Sequence, residues 1–328
     1  MQVPGYVYGA IAPVFTAFNE DGTLDDAGQR NFLDYMIESG GVSAYFIRCG
    51  MGQMFTFGMD DTKQLIKNVC AHAGDRVPVL AGCSGVWDRN YEKRPAPGVF
   101  LAQAIELSQF AEQAGAAGVV HTIPEAVVPP EGMSMDDFLV DYYGKICAAV
   151  KVPVFIYQSP GTLPQYCVNR QSLARLADID NLIGIKVSSP DGALIFDLCY
   201  AVREKRESFA YIVGAEMGFL AGLTVGSKAC IGQGTTMNPK VINAVGDRYL
   251  AGDLEGAIEA QNDVNLLVYE CPNAIEFFKT YVNEKGYAIK VCSRGTGGNP
   301  YETTRNTLSK EQYESFKKYF EATLGKYV

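Results

Sequence analysis

Only two histidines, His72 and His121, and one tryptophan, Trp87, occur in 328 residues. Two imidazoles cannot furnish a histidine-rich metal site, and no metal is expected, although sites built from Asp and Glu alone stay open. The nine cysteines never fall in a CxxC pair, and their odd number without framework spacing predicts reduced thiols in a cytoplasmic protein, not disulfides or structural zinc. Basic residues are outnumbered 28 to 37 by acidic ones and form no long run, so nucleic acid is not an expected partner. Long apolar runs are missing, and the N-terminus MQVPGYVYGAIAPVF lacks a basic start and an extended apolar stretch. Neither a signal peptide nor a membrane span is expected. There is no GxSxG elbow and no convincing dinucleotide fingerprint, which leaves hydrolase and dehydrogenase chemistry without support.

What is there is core material: 48% of residues are apolar and 20% charged. Short apolar runs of β type alternate with helical segments, the βαβα pattern of a parallel sheet. Candidate strands are Ala10–Thr16, Ala44–Cys49, Val77–Cys83, Gly118–Thr122, Val154–Tyr157, Leu182–Val187, Tyr211–Gly214 and Ala229–Gly232. Such a series predicts an α/β fold, a (β/α)8 TIM barrel with a helical C-terminal extension. The division expected is a barrel catalytic domain over 1–238, followed over 239–328 by the last barrel helix and the extension. In the latter, helices are predicted over Ile242–Leu250, Ala257–Tyr281 and Lys310–Tyr319. The first two outer helices should end at Gly40-Gly41 and at Gly74. VPVLAG (Val77–Gly82) and VPVFIY (Val152–Tyr157) repeat a proline at a strand entrance, where its missing N–H costs least. After the third strand, Val86–Gly98 carries charge, proline and Trp87, and on a barrel it would sit at the active-site end as a lid or a subunit contact.

Lys186 lies inside the apolar run NLIGIKVSS. Burying an ammonium without a partner is costly and lowers its pKa, which frees the amine to attack a ketone. The competing reading is a strand-end lysine that snorkels to solvent. One βα unit earlier a strand ends in Tyr157, and neighbouring strand ends of a barrel face one pocket. A phenol there can carry the protons that imine chemistry moves; alone, it could equally be a core tyrosine bonded to a carbonyl.

The order Cys-Gly-Met-Gly-Gln at 49–53, Tyr-Gln-Ser-Pro-Gly-Thr at 157–162, Gly-Ile-Lys at 184–186, Val213-Gly214 and Ala-Cys-Ile-Gly at 229–232 resembles the dihydrodipicolinate synthase / N-acetylneuraminate lyase superfamily over about residues 6 to 290. The resemblance implies a class I aldolase mechanism without metal or cofactor. Lys186 would form a Schiff base with pyruvate or another 2-oxo acid and Tyr157 would act as acid and base. It also implies that the loop after the second strand holds the substrate carboxylate. Here that loop offers Gly50, Met51, Gly52 and Gln53, with backbone donors kept and both family hydroxyls gone. Thr162, Ser188, Gly214 and Ile231 fall at substrate-binding positions. A homotetramer or homodimer is the corresponding expectation.

Departures from the family bear on substrate. HTIPEAVVPP puts Glu125 and Ala126 where the synthases carry a relay tyrosine, and Thr162 stands where they carry a carboxylate-gripping arginine. His121, Glu125, Phe55 and Trp87 are further candidates for the pocket. Gln53-Met54-Phe55 resembles a stretch of the keto-deoxy-glucarate dehydratases and points to a sugar acid, whereas the aromatic side chains admit an aryl pyruvate. The leading reading is an aldolase or dehydratase for a substituted 2-oxo acid such as a keto-deoxy sugar acid. The alternatives are 4-hydroxy-tetrahydrodipicolinate synthase proper and a barrel that captures a 2-oxo acid without turning it over. The glycine-rich segment IGQGTTMNP (Ile231–Pro239) also resembles a barrel phosphate site, although no P-loop lysine follows.

Overall fold

The computed structural model describes residues 1–294 and 308–328. Eight strands, β1 (Gly9–Pro13), β2 (Val42–Ile47), β3 (Val79–Gly82), β4 (Gly118–Thr122), β5 (Val154–Gln158), β6 (Leu182–Val187), β7 (Ala210–Val213) and β8 (Ala229–Cys230), pair in parallel and in sequence order, and β8 returns to β1 to close a barrel. Almost every strand residue is buried, as strands covered on both faces require, which is why the sequence shows continuous apolar runs instead of alternation. The connecting helices are α1 (Asp26–Ser39), α2 (Met59–Ala73), α3 (Pro97–Gln113), α4 (Met135–Ala149), α5 (Arg170–Leu176), α6 (Gly192–Lys205) and α7 (Phe219–Thr224). Gly40 and Gly74 end the first two with φ of 71° and 52°, a conformation that favours glycine.

The barrel interior is filled by large side chains whose space is made by glycine. A Cβ on Gly118 of β4 would lie 3.1 Å from the ring of Phe155, and one on Gly184 of β6 would lie 3.0 Å from it. The two glycines let Phe155 fill the middle of the barrel. Tyr157, two residues on and therefore on the same face of β5, stands above it toward the C-terminal mouth.

Beyond the barrel come α8 (Gln233–Met237), α9 (Pro239–Leu250), α10 (Leu254–Glu270), α11 (Ala274–Glu284) and α12 (Lys310–Leu324). The single helix expected over Ala257–Tyr281 is two helices. Pro272 has no N–H to continue α10 and holds Cys271 extended (φ −72°, ψ 111°), and Asn273 starts α11 by accepting from the Glu276 amide. The helix expected from Ile242 begins at Pro239, at a first-turn position where a missing N–H costs nothing. The last helix runs on to Leu324 from a Ser309/Gln312 capping box. Aromatic packing joins the extension to the barrel. Phe277 meets Phe316 at 4.6 Å between centroids, and Phe278 meets Phe32 at 5.8 Å and Phe15 at 6.1 Å. Part of the extension expected over 239–328, residues 295–307, lies outside the described residues.

Candidate active site

Strand register brings the chemistry together. Tyr157 pairs directly with Lys186, Thr122 with Tyr157, and Lys186 with Ile212, so the layer carrying the amine also carries the phenol and a hydroxyl. Lys186 is 5% exposed, and its Nζ sits 4.1 Å from the centroid of the Tyr157 ring and 5.9 Å from that of Phe46. Among the described residues it makes no hydrogen bond and no ion pair. Burial pulls its pKa down to about 8, against weaker upward pulls from Cys49, Cys230 and Glu216. Both thiols are themselves pushed up by burial, Cys49 to about 11 and Cys230 further, so they are neutral neighbours at neutral pH. The amine is thus poised to lose its proton close to neutrality.

The turn over 49–53 is folded by its own amides. Gly52 donates to the Cys49 carbonyl at 3.1 Å and Gln53 donates to the Gly50 carbonyl at 2.9 Å, while the amides of Gly50 and Met51 are spent on no backbone carbonyl among the described residues. Gly52 is held close to the chain, since a Cβ there would lie 2.9 Å from both Thr16 Oγ1 and the Val14 carbonyl. Gln53 adopts φ 61° and exchanges two hydrogen bonds with the backbone of Arg294, donating at 2.6 Å and accepting at 3.0 Å. Its amide is therefore engaged in fastening the chain past α11 to the barrel, and the likeness to a sugar-acid dehydratase loses its polar anchor.

Gly214 has no room for a side chain, because a Cβ would lie 2.5 Å from the Val187 carbonyl; its amide donates to that oxygen at 2.8 Å. Ser188 Oγ leans on the Gly214 carbonyl at 3.4 Å, and Ile231 is buried beside them. Thr162 Oγ1 turns inward on its own loop, to the Ser159 carbonyl at 2.8 Å. His121 is not at the mouth. On β4 it faces away from Tyr157, binds Ser108 Oγ of α3 at 2.9 Å, and is pulled down to about 3 by burial and then by Arg48, so it is a neutral packing residue between barrel and helix.

The loop Val86–Gly98 lies across the mouth and is fastened to it. Arg89 donates to the carbonyls of Pro160 (3.2 Å) and Gly161 (2.6 Å), pairs with Glu125 at 3.5 Å, and stacks 5.2 Å over Phe55. Glu125 also accepts from Tyr91 Oη at 3.0 Å and from the Leu163 amide at 2.7 Å, and Arg94 takes its carbonyl. Glu125 is therefore the clasp between this loop and the ends of β4 and β5. Trp87 and Phe55 line one cavity with Phe46, Thr122, Tyr157 and Arg48.

Three features escaped sequence reasoning. Arg48, the residue after β2, is buried in that cavity. Thr122 Oγ1 donates to Ser84 Oγ at 3.0 Å, placing a hydroxyl pair beside Tyr157. Glu216 is a fully buried carboxyl that accepts from the Gly234 amide at 2.7 Å, and burial raises its pKa. A Cβ on Gly232 would lie 1.7 Å from that carboxyl, so the glycine-rich segment wraps an acid of the protein itself. The phosphate reading of Ile231–Pro239 falls with it, because the acid already takes the Gly234 amide and its charge would repel a phosphate.

Comparison with known proteins bears on the family and the fold. A model described as the dihydrodipicolinate synthetase family matches residues 7–311. A 4-hydroxy-tetrahydrodipicolinate synthase of Aromatoleum aromaticum is 28% identical over 247 residues, 75% of this chain and 77% of that protein. The putative 2-dehydro-3-deoxy-D-gluconate aldolase YagE of Escherichia coli is 27% identical over 288 residues, 87% of each. In fold, the chain is similar to a catalytic-lysine mutant of the Ruminococcus gnavus sialic acid aldolase, with a TM-score of 0.82, 17% identity and full coverage of both chains.

Proposed function

The chain belongs to the dihydrodipicolinate synthetase family, and from that premise we propose that it is a class I lyase in which Lys186 condenses with a 2-oxo acid while Tyr157 carries the protons. The observation that carries this is the register pair Tyr157–Lys186, with an amine 4.1 Å from the phenol ring and no other polar partner among the described residues. Nζ adds to the 2-oxo carbon, and protonation of the resulting carbinolamine hydroxyl releases water and leaves a protonated imine. The imine then takes up the electron pair freed when the C3–C4 bond breaks as the C4 hydroxyl gives its proton to Tyr157, or the pair left by the C3 proton, which the resulting enamine returns to expel the C4 hydroxyl as water. Neither step calls for a metal or an organic cofactor. This reading gives the substrate carboxylate to the amides of Gly50 and Met51, neither of which is spent on a backbone carbonyl among the described residues. We assign this chemistry to residues 1–238, braced by the described helices of the extension that begins at residue 239.

The cavity beside Tyr157 is walled by Phe46, Met54, Phe55, Trp87, Phe100 and Val120. Such walls favour a substrate whose arm beyond C3 is largely apolar over a polyhydroxylated sugar acid. Lysine-biosynthetic condensation is disfavoured, since Thr162 is bonded to its own loop and Glu125 is engaged in the clasp. We further read the protein as a cytoplasmic homodimer or homotetramer. All nine thiols are free, no helix among the described residues is long and apolar enough to cross a membrane, and Leu250, Leu254 and Ile258 are more than half exposed along α9 and α10. Light scattering measures the assembly. Pyruvate with borohydride should fix a reduced adduct on Lys186, seen by intact mass and peptide mapping; no adduct would remove the proposed nucleophile.

A further inference from the structure

Among the described residues Arg48 is a buried cation with no anion. It is 4% exposed and takes φ 46°, which carries its side chain over the end of β3, where Nη1 donates to the carbonyls of Gly82 (3.3 Å) and Ser84 (2.6 Å). Its Nε is buried without a partner, and no carboxylate lies within ion-pair distance among the described residues. Arg89, the other buried arginine at the mouth, does have one in Glu125. The ionisable groups that face Arg48 supply no negative charge either. His121 is neutral, and burial lifts the Cys83 thiol to about 12. A guanidinium in this position is costly to bury and retains fork-shaped donor capacity suited to a carboxylate.

The position says which carboxylate. Arg48 and Tyr157 line one cavity, and Tyr157 is also the residue against Lys186, so the phenol stands between amine and guanidinium. The guanidinium leans over β3, whereas the amine stands on β6. Lys186 lies outside the lining of this cavity, so a substrate held by the amine through its 2-oxo carbon would pass its arm by Tyr157 and Phe46 to bring the far end to Arg48.

We propose that Arg48 receives a second acid group of the substrate, remote from the 2-oxo carbon, so that the enzyme prefers 2-oxo acids whose apolar arm ends in a carboxylate. This rests on the reading of Lys186 as the imine-forming amine. The test compares borohydride trapping of acids matched in chain length, 2-oxoadipate with 2-oxohexanoate and 2-oxoglutarate with 2-oxopentanoate, as the concentration giving half-maximal adduct. The native protein should favour the dicarboxylate of at least one pair by about tenfold or more, in line with a charge-assisted hydrogen bond. Arg48→Gln should reduce that ratio to within about threefold, and Arg48→Lys, which keeps charge but loses the fork, should leave an intermediate ratio. No preference in the native protein, a preference that survives Arg48→Gln, or an equal weakening of both members of a pair would each overturn the proposal. If Arg48→Gln does not fold, an undiminished ratio in Arg48→Lys overturns it and a reduced one supports it. If the native protein traps no pyruvate, the lysine reading fails by itself. Calorimetric titration with glutarate and adipate then decides on Arg48: binding that Arg48→Gln abolishes keeps the anion site, and no binding ends it.

Discussion

Two lysines of this chain are buried, and they serve opposite ends. Lys186, at the barrel mouth, is pulled down to about 8, and Lys279, on α11 of the C-terminal extension, to about 7. Burial is the leading cause in both. By pKa alone Lys279 would be the better nucleophile, yet its Nζ donates to the carbonyls of Thr16 at 2.7 Å and Cys292 at 2.6 Å, with a 1% exposed side chain. It ties α11 to the chain after β1 and to the segment beyond α11. Lys186 has no such bonds among the described residues, and its amine sits over the rings of Tyr157 and Phe46, which line the cavity at the barrel mouth. A depressed pKa reports desolvation; reactivity needs, in addition, a lone pair that nothing else holds and a path for the substrate.

The sharpest attempt to break this contrast is to exchange the losses. Lys186→Ala should abolish the borohydride adduct with pyruvate altogether, and Lys279→Ala should leave the adduct on Lys186, as peptide mapping would show. An adduct on Lys279 in either protein would contradict the assignment. The second effect runs the other way. Lys279→Met leaves two buried carbonyls without their donor and should cost about 2–3 kcal/mol in urea unfolding. Lys186→Met removes a desolvated amine with no bonds to lose, and its unfolding midpoint should stay near or above that of the native chain.

The same contrast explains what could be read from the sequence. All eight strands were legible because strands covered on both faces are written as short apolar runs bounded by glycine and proline, and Lys186 stood out as a charge within such a run. Lys279 did not, because in Phe277-Phe278-Lys279-Thr280 it occupies what looks like a polar helical position, and only the arrival of residues 16 and 292 covers it. Arg48 was hidden for a related reason. A cation at a strand end reads as solvated, and its burial depends on β3 and α3, which lie far along the chain. Gln53 looked like a substrate ligand because its partner, the Arg294 backbone, carries no side-chain signal. Local pattern encodes strands and glycine positions; which polar groups are engaged is settled by chain segments hundreds of residues apart.

A pH profile probes the two amines in turn. The rate of pyruvate trapping should rise with pH around a midpoint of about 8, where Lys186 loses its proton, and not near the 10.5 of an unperturbed lysine. For stability the sign follows from linkage. A lysine whose folded pKa is depressed binds fewer protons folded than unfolded in the interval between the two values. It therefore adds stability as pH rises from about 8 toward 10.5 and withdraws it as pH falls back to about 8. Replacing Lys186 by Met should flatten that part of the native stability profile. Lys279→Met should flatten it at least as much, over an interval that reaches down to about 7. Less flattening would mean that the two carbonyls hold Lys279 as a charged ammonium.

The smallest effect concerns Glu216, the one carboxyl that pulls the Lys186 pKa upward. Burial raises its own pKa, and the Gly234 amide takes one oxygen. Glu216→Gln keeps an acceptor for that amide while deleting the charge, which should move the trapping midpoint slightly below about 8 without weakening the fold. A midpoint that rises instead would mean that Glu216 is protonated in the native protein. The amide would then have disturbed a hydrogen bond that the neutral acid makes, and the poise of Lys186 would be set by burial and its thiol neighbours without help from Glu216.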